Sequence, residues 1–498
     1  GGGGLALLWS SKQKRATALD FRERAPKGAA PKMFRQAGIP PDASKNGPLA
    51  IAVPGEVAGL GMLHQKWGQM KWKDLFSDAI QLAKEGFTAD SALLDRAGSR
   101  KECLSRDYHS WKLFRPLFRP PSDLNTEEFH DEEEEAEAQP IRWKQPQLAK
   151  TLERLRDRGP GDFYTGELAY RMISNLKGKG ALLRLSDLRD YQVKERLPLV
   201  NRFPFGKVWG FPLPSSGGIS VIRGLNTLEA LEKKTKKRGP WLIWMVQVSN
   251  QIFATRNAKM GDSDFVGNQP VRNWVSKPFA RGQAQKILEG QAMKAAAGNS
   301  TTSGQTTHLS IMDAAGNAIA LTLTLNLSFG SCVTAGNTGI LMNNEMDDFS
   351  THPGTPNAFG LVQSEANNIE GGKRPLSSMS PTLVTQKSQP VLAIGSPGGP
   401  RIITAILQVL YRHYFLRQNL ADAIRAPRIH YQGIPNKIFV ESKVGEKAKA
   451  KLKALNIPLQ TGGAWGNVEA VAFDPATGQF SAQSDPRAIG KSLVVQTQ

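Results

Sequence analysis

The stretch that decides the fold runs from Gly304 to Gly330, GQTTHLSIMDAAGNAIALTLTLNLSFG. It divides into two runs of alternating polarity around Asp313-Ala314-Ala315-Gly316-Asn317, and so predicts a β-hairpin. In the second run Ile319, Leu321, Leu323 and Leu325 share one face, while Ala320, Thr322, Thr324 and Asn326 share the other, because strand side chains alternate. With that turn as the loop, partner numbers sum to about 630, which sets Thr306 opposite Thr324. Threonine is favoured in strands whatever the function, so a polar face alone decides nothing. The residues in front of it weigh more. AAAGNSTTSGQ, at 295–305, is a run of small residues without a cap that leads straight into a core strand. A cut site looks like this when cleavage must free the first residue of a strand. A threonine with a free α-amine then carries its own general base. Thr307 is the rival nucleophile; alternation puts it on the opposite face from Thr306, where a packing role is expected.

A chain of 498 residues with 40% hydrophobic residues can bury a core large enough for one big domain or two ordinary ones. The formal net charge of +20 raises the question of nucleic acid. Its densest part, Lys233-Lys234-Thr235-Lys236-Lys237-Arg238, follows a helical pattern ending near Glu232 and reads as a solvated helix end or loop. The remaining basic residues are scattered and carry no helix-turn-helix, zinc-finger or aromatic-basic signature, so no nucleic-acid partner is expected. The two cysteines, Cys103 and Cys332, are too few for a disulfide framework or a metal cluster and are expected as free thiols. No run of about eighteen apolar residues and no signal peptide stands out.

Along the chain, Leu5–Trp9 and Ala16–Phe21 flank the charged Lys12–Arg15 and predict a second hairpin, with Arg22 directly after it. From Gly55 to about Arg96 the pattern is helical, with a stop at Gly86. Residues 120–140, with Pro120, Pro121 and the acidic run Asp131–Glu135, read as a solvated loop rather than a metal site. Helices are expected at Gln145–Arg158, Glu167–Leu176 and Trp241–Met260. A strand at Val208–Phe211 leads through Pro214-Ser215-Ser216-Gly217-Gly218 into a helix ending at Leu231. The serines there lack a G-x-S-x-G elbow, so a tight turn is expected rather than a nucleophile. Ile340–Met342 predicts a short strand entering the acidic turn Asn343–Asp348, and Ser350–Leu361 has the length and Pro/Gly content of a mobile flap. Gly395-Ser396-Pro397-Gly398-Gly399-Pro400 precedes a helical run; two glycines there can point N–H groups at an anion, the physics of an oxyanion hole. A helix at Lys447–Leu455 and strands at Val468–Phe473 and Gln479–Gln483 close the chain. No phosphate loop, dinucleotide fingerprint or metal motif appears, and no cofactor is expected.

Five ordered motifs carry a resemblance: Gln305-Thr306-Thr307-His308, TLTLN at 322–326, NNEMDDF at 343–349, KRPLSSMSPT at 373–382 and GSPGG at 395–399. Together they resemble the γ-glutamyltransferase (glutathione hydrolase) family, with DFRERAP at 20–26, PSSGG at 214–218 and SDPR at 484–487 as further anchors. The resemblance implies an α+β fold, the αββα sandwich of N-terminal-nucleophile hydrolases. It implies a precursor cut between Gln305 and Thr306 into a large-subunit region, 1–305, and a small-subunit region, 306–498, that share one core. It makes Thr306 the nucleophile, has Thr324 orient it, and gives the oxyanion hole to Gly398 and Gly399. Arg22, Ser377 and Ser378 would hold the substrate α-carboxylate, and Asn326, Glu345 and Asp348 the α-ammonium; these groups suit those charges chemically.

Glutathione and related γ-glutamyl compounds are the implied donors, with water or an amino acid or peptide as acceptor. A periplasmic or extracellular setting is implied as well. The opening Gly1–Gly4 lies well inside the family's large subunit, so the chain is expected to lack the family's front. Two departures stand out: Pro400 replaces a small hydroxyl residue, and Phe359 stands where some bacterial members carry tyrosine. The alternatives are an acylase of glutaryl or β-lactam-type amides on the same scaffold, and an inactive relative acting as a basic binding protein.

Overall fold

The computed structural model describes residues 1–118, 140–235, 239–290, 306–352 and 354–495. The acidic run 131–135, Lys236–Arg238 and the tail 295–305 with Gln305 lie outside the described residues. Eleven strands, named here in chain order, build two facing sheets: β1 (Gly3–Ser10), β2 (Arg15–Phe21), β3 (Lys194–Arg196), β4 (Leu199–Phe203), β5 (Gly206–Gly210), β6 (Thr306–Met312), β7 (Ala318–Thr324), β8 (Thr382–Gln386), β9 (Gln389–Gly395), β10 (Glu469–Asp474) and β11 (Gln479–Gln483). The first sheet has the order β3-β2-β1-β7-β6 and the second β11-β10-β9-β8-β5-β4, antiparallel throughout. Each sheet therefore takes strands from both sides of residue 306.

The alternation of the 304–330 stretch becomes the β6–β7 hairpin, closed by residues 313–317, and its rungs run from Thr306 opposite Thr324 to Met312 opposite Ala318. The register is the expected one. Next to it β1 is central and buried along its whole length, as a strand covered on both faces must be. Leu5, Leu7 and Trp9 point into the main core between the sheets, whereas Ala6 joins Leu19, Phe21 and Leu321 beneath helix α1 (Glu56–Trp67). Full burial of a leucine side chain contributes roughly 1.5–3 kcal/mol, so this strand anchors both layers.

The outer face of the second sheet is covered by helices α2 (Gly217–Thr235), α3 (Trp241–Lys259), α4 (Lys277–Leu288) and α5 (Arg401–Tyr414). Helix, sheet, sheet, helix is the αββα order. The helical stretch expected at 55–96 is interrupted by the two-residue strand Phe87–Thr88, which pairs with Arg142–Trp143.

Three expectations are corrected. Cys103 and Cys332 are not free thiols; they form a disulfide, with Cα atoms 5.8 Å apart. The left-handed turn at Phe329–Cys332, with φ +60° at Cys332, folds the chain back onto the short helix carrying Cys103, a closeness that 229 residues of separation hide from sequence. Ile340–Met342 is no strand: only Leu341 bridges to Thr334, because the segment from Gly336 to Gly339 winds through two positive-φ glycines first. Thr307 does not support packing. It is exposed on the outer face of the edge strand β6, beside Leu309 and Ile311, which are about half exposed.

Candidate active site

The inner face of the β6–β7 hairpin is lined by Thr306, His308 and Ser310 from one strand and by Thr322 and Thr324 from the other. Small polar residues here leave room between the sheets. Thr306 Oγ1 and Thr324 Oγ1 face each other at 3.5 Å. Directly after β7, Asn326 adopts φ +76°, the left-handed conformation that asparagine tolerates better than most residues. Its backbone N–H donates to Thr324 Oγ1 at 2.9 Å, and its side-chain amide donates to the Asn344 carbonyl at 3.0 Å. The strand thus ends in a hook that ties the second threonine to the segment carrying the acidic residues.

That segment, Glu345–Asp348, is one buried 3₁₀ turn. Arg22, at the end of β2 and 1% exposed, reaches into it: Nη2 donates to Asp348 Oδ2 at 2.5 Å, Nη1 pairs with Glu345, and Nε donates to the Pro375 carbonyl at 3.3 Å. Burial would lower the Arg22 guanidinium, but the Glu345 and Asp348 carboxylates outweigh it and hold it above its ordinary value. Burial pushes the Glu345 carboxyl well up, against the pull of Arg22, and brings Glu23 to about 7 against the same pull. Glu345 Oε2 is buried with no hydrogen-bond partner among the described residues. A buried carboxyl oxygen left without a partner is a costly feature in a core.

Ser377 and Ser378 form the opposite wall, held by the Pro214–Gly218 turn. Ser216 donates to the Ser377 carbonyl from both its backbone N–H, at 2.9 Å, and its hydroxyl, at 2.8 Å, while the Ser377 N–H donates to the Pro214 carbonyl at 2.8 Å. The expected tight turn is there, and its serines serve to position this loop. Gly398 and Gly399, at φ +130° and +57°, precede α5. Their N–H groups donate no hydrogen bond among the described residues, and both glycines adjoin cavities that meet at Thr306.

One narrow cleft is lined together by Thr306, Thr324, Asn326, Arg22, Glu345, Asp348, Ser377, Ser378 and Gly399, with Gly398 on the adjoining groove that runs along β6. Phe359, Leu361, Met379, Pro400 and Ile402 complete the wall, joined by Arg256. Of the flap expected at 350–361, residues 357–361 are buried against the cleft, Gly354 and Thr355 are exposed, and residue 353 lies outside the described residues. The Phe359 carbonyl accepts from Gln432 at 3.0 Å, and the Ala358 N–H donates to Asp347 at 2.9 Å.

The family model described as gamma-glutamyltranspeptidase covers residues 1–495. The chain belongs to the γ-glutamyltranspeptidase family. It is 36% identical to the glutathione hydrolase proenzyme of Escherichia coli, over 98% of this chain and 83% of that one. Against the proenzyme of the same name from Pseudomonas aeruginosa it is 34% identical, over 99% and 86%. The solved cephalosporin acylase from Bacillus halodurans shares the fold, with a TM-score of 0.82 over 100% of this chain and 88% of that chain at 20% identity.

For a γ-glutamyltranspeptidase relative, two wall residues escaped the sequence reading. Arg256 had a signal: an arginine in an apolar helix, one turn after the buried Ile252 and Phe253, is a charge that needs a reason. Met379 had none, being one apolar residue among many.

Proposed function

We propose that this chain is an autoprocessed γ-glutamyl hydrolase and transferase whose donors are glutathione and related γ-glutamyl compounds. Cleavage between Gln305 and Thr306 gives pieces of 305 and 193 residues and turns the Thr306 nitrogen into a free amine. That amine takes the proton from Thr306 Oγ1 as the oxygen attacks the γ-glutamyl carbonyl carbon. Thr324 holds the hydroxyl in line. The tetrahedral oxyanion is received by the Gly398 and Gly399 N–H groups. Collapse of the intermediate breaks the C–N bond, the amine leaves with the proton, and a γ-glutamyl ester remains on Thr306. Water or an acceptor amine then attacks that ester by the same route in reverse, releasing glutamate or a new γ-glutamyl amide.

Recognition of the donor is assigned to Arg22, Ser377 and Ser378 for the α-carboxylate and to Asn326, Glu345 and Asp348 for the α-ammonium. The observation that carries the reading is the hydroxyl pair Thr306–Thr324 opening onto the same cleft as Glu345 and Asp348. A glutaryl group has no amine to meet those two carboxyls, so the γ-glutamyl substrate is favoured over a glutaryl or β-lactam side chain. A periplasmic or extracellular setting is supported by the Cys103–Cys332 disulfide, since such bonds persist in oxidising compartments. No described helix is long and apolar enough to cross a membrane.

The test is a gel run beside a chromogenic γ-glutamyl anilide assay. Two pieces under reducing conditions with release of the anilide are expected; a single uncut chain that releases none refutes the proposal.

A further inference from the structure

The mechanism above leaves one buried charge in the cleft without a task. Arg256, in the last turn of α3, is 1% exposed and lines the cleft beside Ser377, Ser378, Glu345 and Asp348. Its Nε donates to Ser216 Oγ at 3.1 Å, and its Nη1 donates to Asn257 Oδ1 and Gln363 Oε1 at 3.1 Å each. All three acceptors are neutral, and among the described residues no carboxylate forms an ion pair with it. Burial lowers the guanidinium to about 10, offset only by the more distant Asp348, so it remains a cation at neutral pH. A buried cation without an anion is costly.

The partners of Arg22 say what could fill the gap. Arg22 already has three acidic side chains around it, Glu345, Asp348 and, at 3.7 Å, Glu23. A substrate α-carboxylate entering the cleft finds that guanidinium engaged, whereas Arg256 is a cation on the same wall with neutral partners alone among the described residues.

We infer that Arg256 is a specificity-determining ligand of the donor's α-carboxylate, acting with Ser377 and Ser378 and sharing with Arg22 a charge that Arg22 alone does not balance. The inference rests on the γ-glutamyl reading. Ser216 links the two halves of the arrangement, because it accepts from Arg256 and donates to the Ser377 carbonyl.

The experiment compares two substrates on processed enzyme: the γ-anilide of L-glutamate and the same anilide with its α-carboxylate converted to a carboxamide. For Arg256→Gln we expect KM for the acid to rise ~30-fold, the scale of a lost charge-assisted hydrogen bond. The carboxamide's kcat/KM should change less than about 3-fold, within the scatter of a neutral contact. Arg256→Lys should recover part of the loss. Where turnover of the carboxamide is too slow to follow, its inhibition constant against the acid is compared instead. Should Arg256→Gln fail to process, the acid-to-carboxamide ratio of Arg256→Lys decides, since a ratio does not depend on the active fraction. Equal losses on both substrates, or no loss on either, overturn the inference while leaving the γ-glutamyl reading intact. Wild-type enzyme that cleaves neither anilide brings down both.

Discussion

Thr306 and Thr324 form the terminal rung of the β6–β7 hairpin, with their hydroxyl oxygens 3.5 Å apart and Thr324 Oγ1 already accepting the Asn326 N–H. This couples the proposed nucleophile to the turn that carries the acidic residues. Thr306→Ala should leave one full-length band and no anilide release, because it removes the attacking atom for both the self-cleavage and the hydrolysis. Thr324→Ala should still process, more slowly, and lose at least ~10-fold in kcat, the scale of one hydrogen bond to the reacting group. A normally cleaved and active Thr306→Ala protein is the result that overturns the assignment.

The disulfide crosses the proposed cut. Cys103 lies before residue 305 and Cys332 after it, so the mature pieces should stay covalently joined. Without reductant the processed protein should run as one band; with reductant, as two. Cys103→Ser should give two bands under both conditions and a lower melting temperature, since losing such a cross-link typically costs ~2–5 kcal/mol. Two titratable thiols in the denatured, unreduced protein would contradict the bond.

How much of this was legible in the sequence depends on how far apart the partners lie along the chain. The β6–β7 register followed from the alternation around residues 313–317, a local pattern that strand geometry enforces. The cleft residues were legible as motifs, but nothing local places Arg22 against Asp348, 326 positions away. The disulfide failed for the same reason, its cysteines lying 229 positions apart. Thr307 failed differently: alternation gave the right face, but β6 is the edge of its sheet, and edge position depends on topology that local pattern does not encode.

The loop before α5 gives a third prediction. Gly399 sits at φ +57°, and a Cβ placed there would stand 3.0 Å from the Phe359 ring. Gly399→Ala therefore meets both backbone strain and a wall of the cleft. Its N–H should swing off the oxyanion position, and kcat should fall ~100-fold, as for loss of one oxyanion donor. Processing, melting temperature and kcat measured together separate a catalytic loss from misfolding: an unchanged kcat would remove Gly399 from the oxyanion hole.

The last prediction concerns acid. His308 is buried between the sheets, its Nδ1 sharing a hydrogen bond with Thr322 Oγ1 at 2.8 Å and its Nε2 with Ser310 Oγ at 3.0 Å. The Gly395 backbone packs so close to its ring that a Cβ there would come within 2.1 Å. His430 is buried in the same way between Thr404 and Gln432. Burial lowers both rings to about 3, with Arg401 adding to the effect on His430. An unfolded histidine titrates near 6.5, so between about 6.5 and 3 the unfolded chain binds protons that the native chain refuses. Their contribution is therefore fully present above pH 6.5 and is lost as pH falls toward 3, with a slope of about 1.4 kcal/mol per pH unit for each ring. Denaturant midpoints between pH 7 and 5 should fall accordingly. His308→Gln keeps a polar side chain but cannot titrate, so its slope over that range should be shallower by one ring's share, while carboxylate contributions common to both proteins cancel in the comparison. Identical slopes for the variant and the wild type would show that His308 is protonated in the native state, and that the space between the sheets at the foot of the nucleophile strand is wet rather than closed.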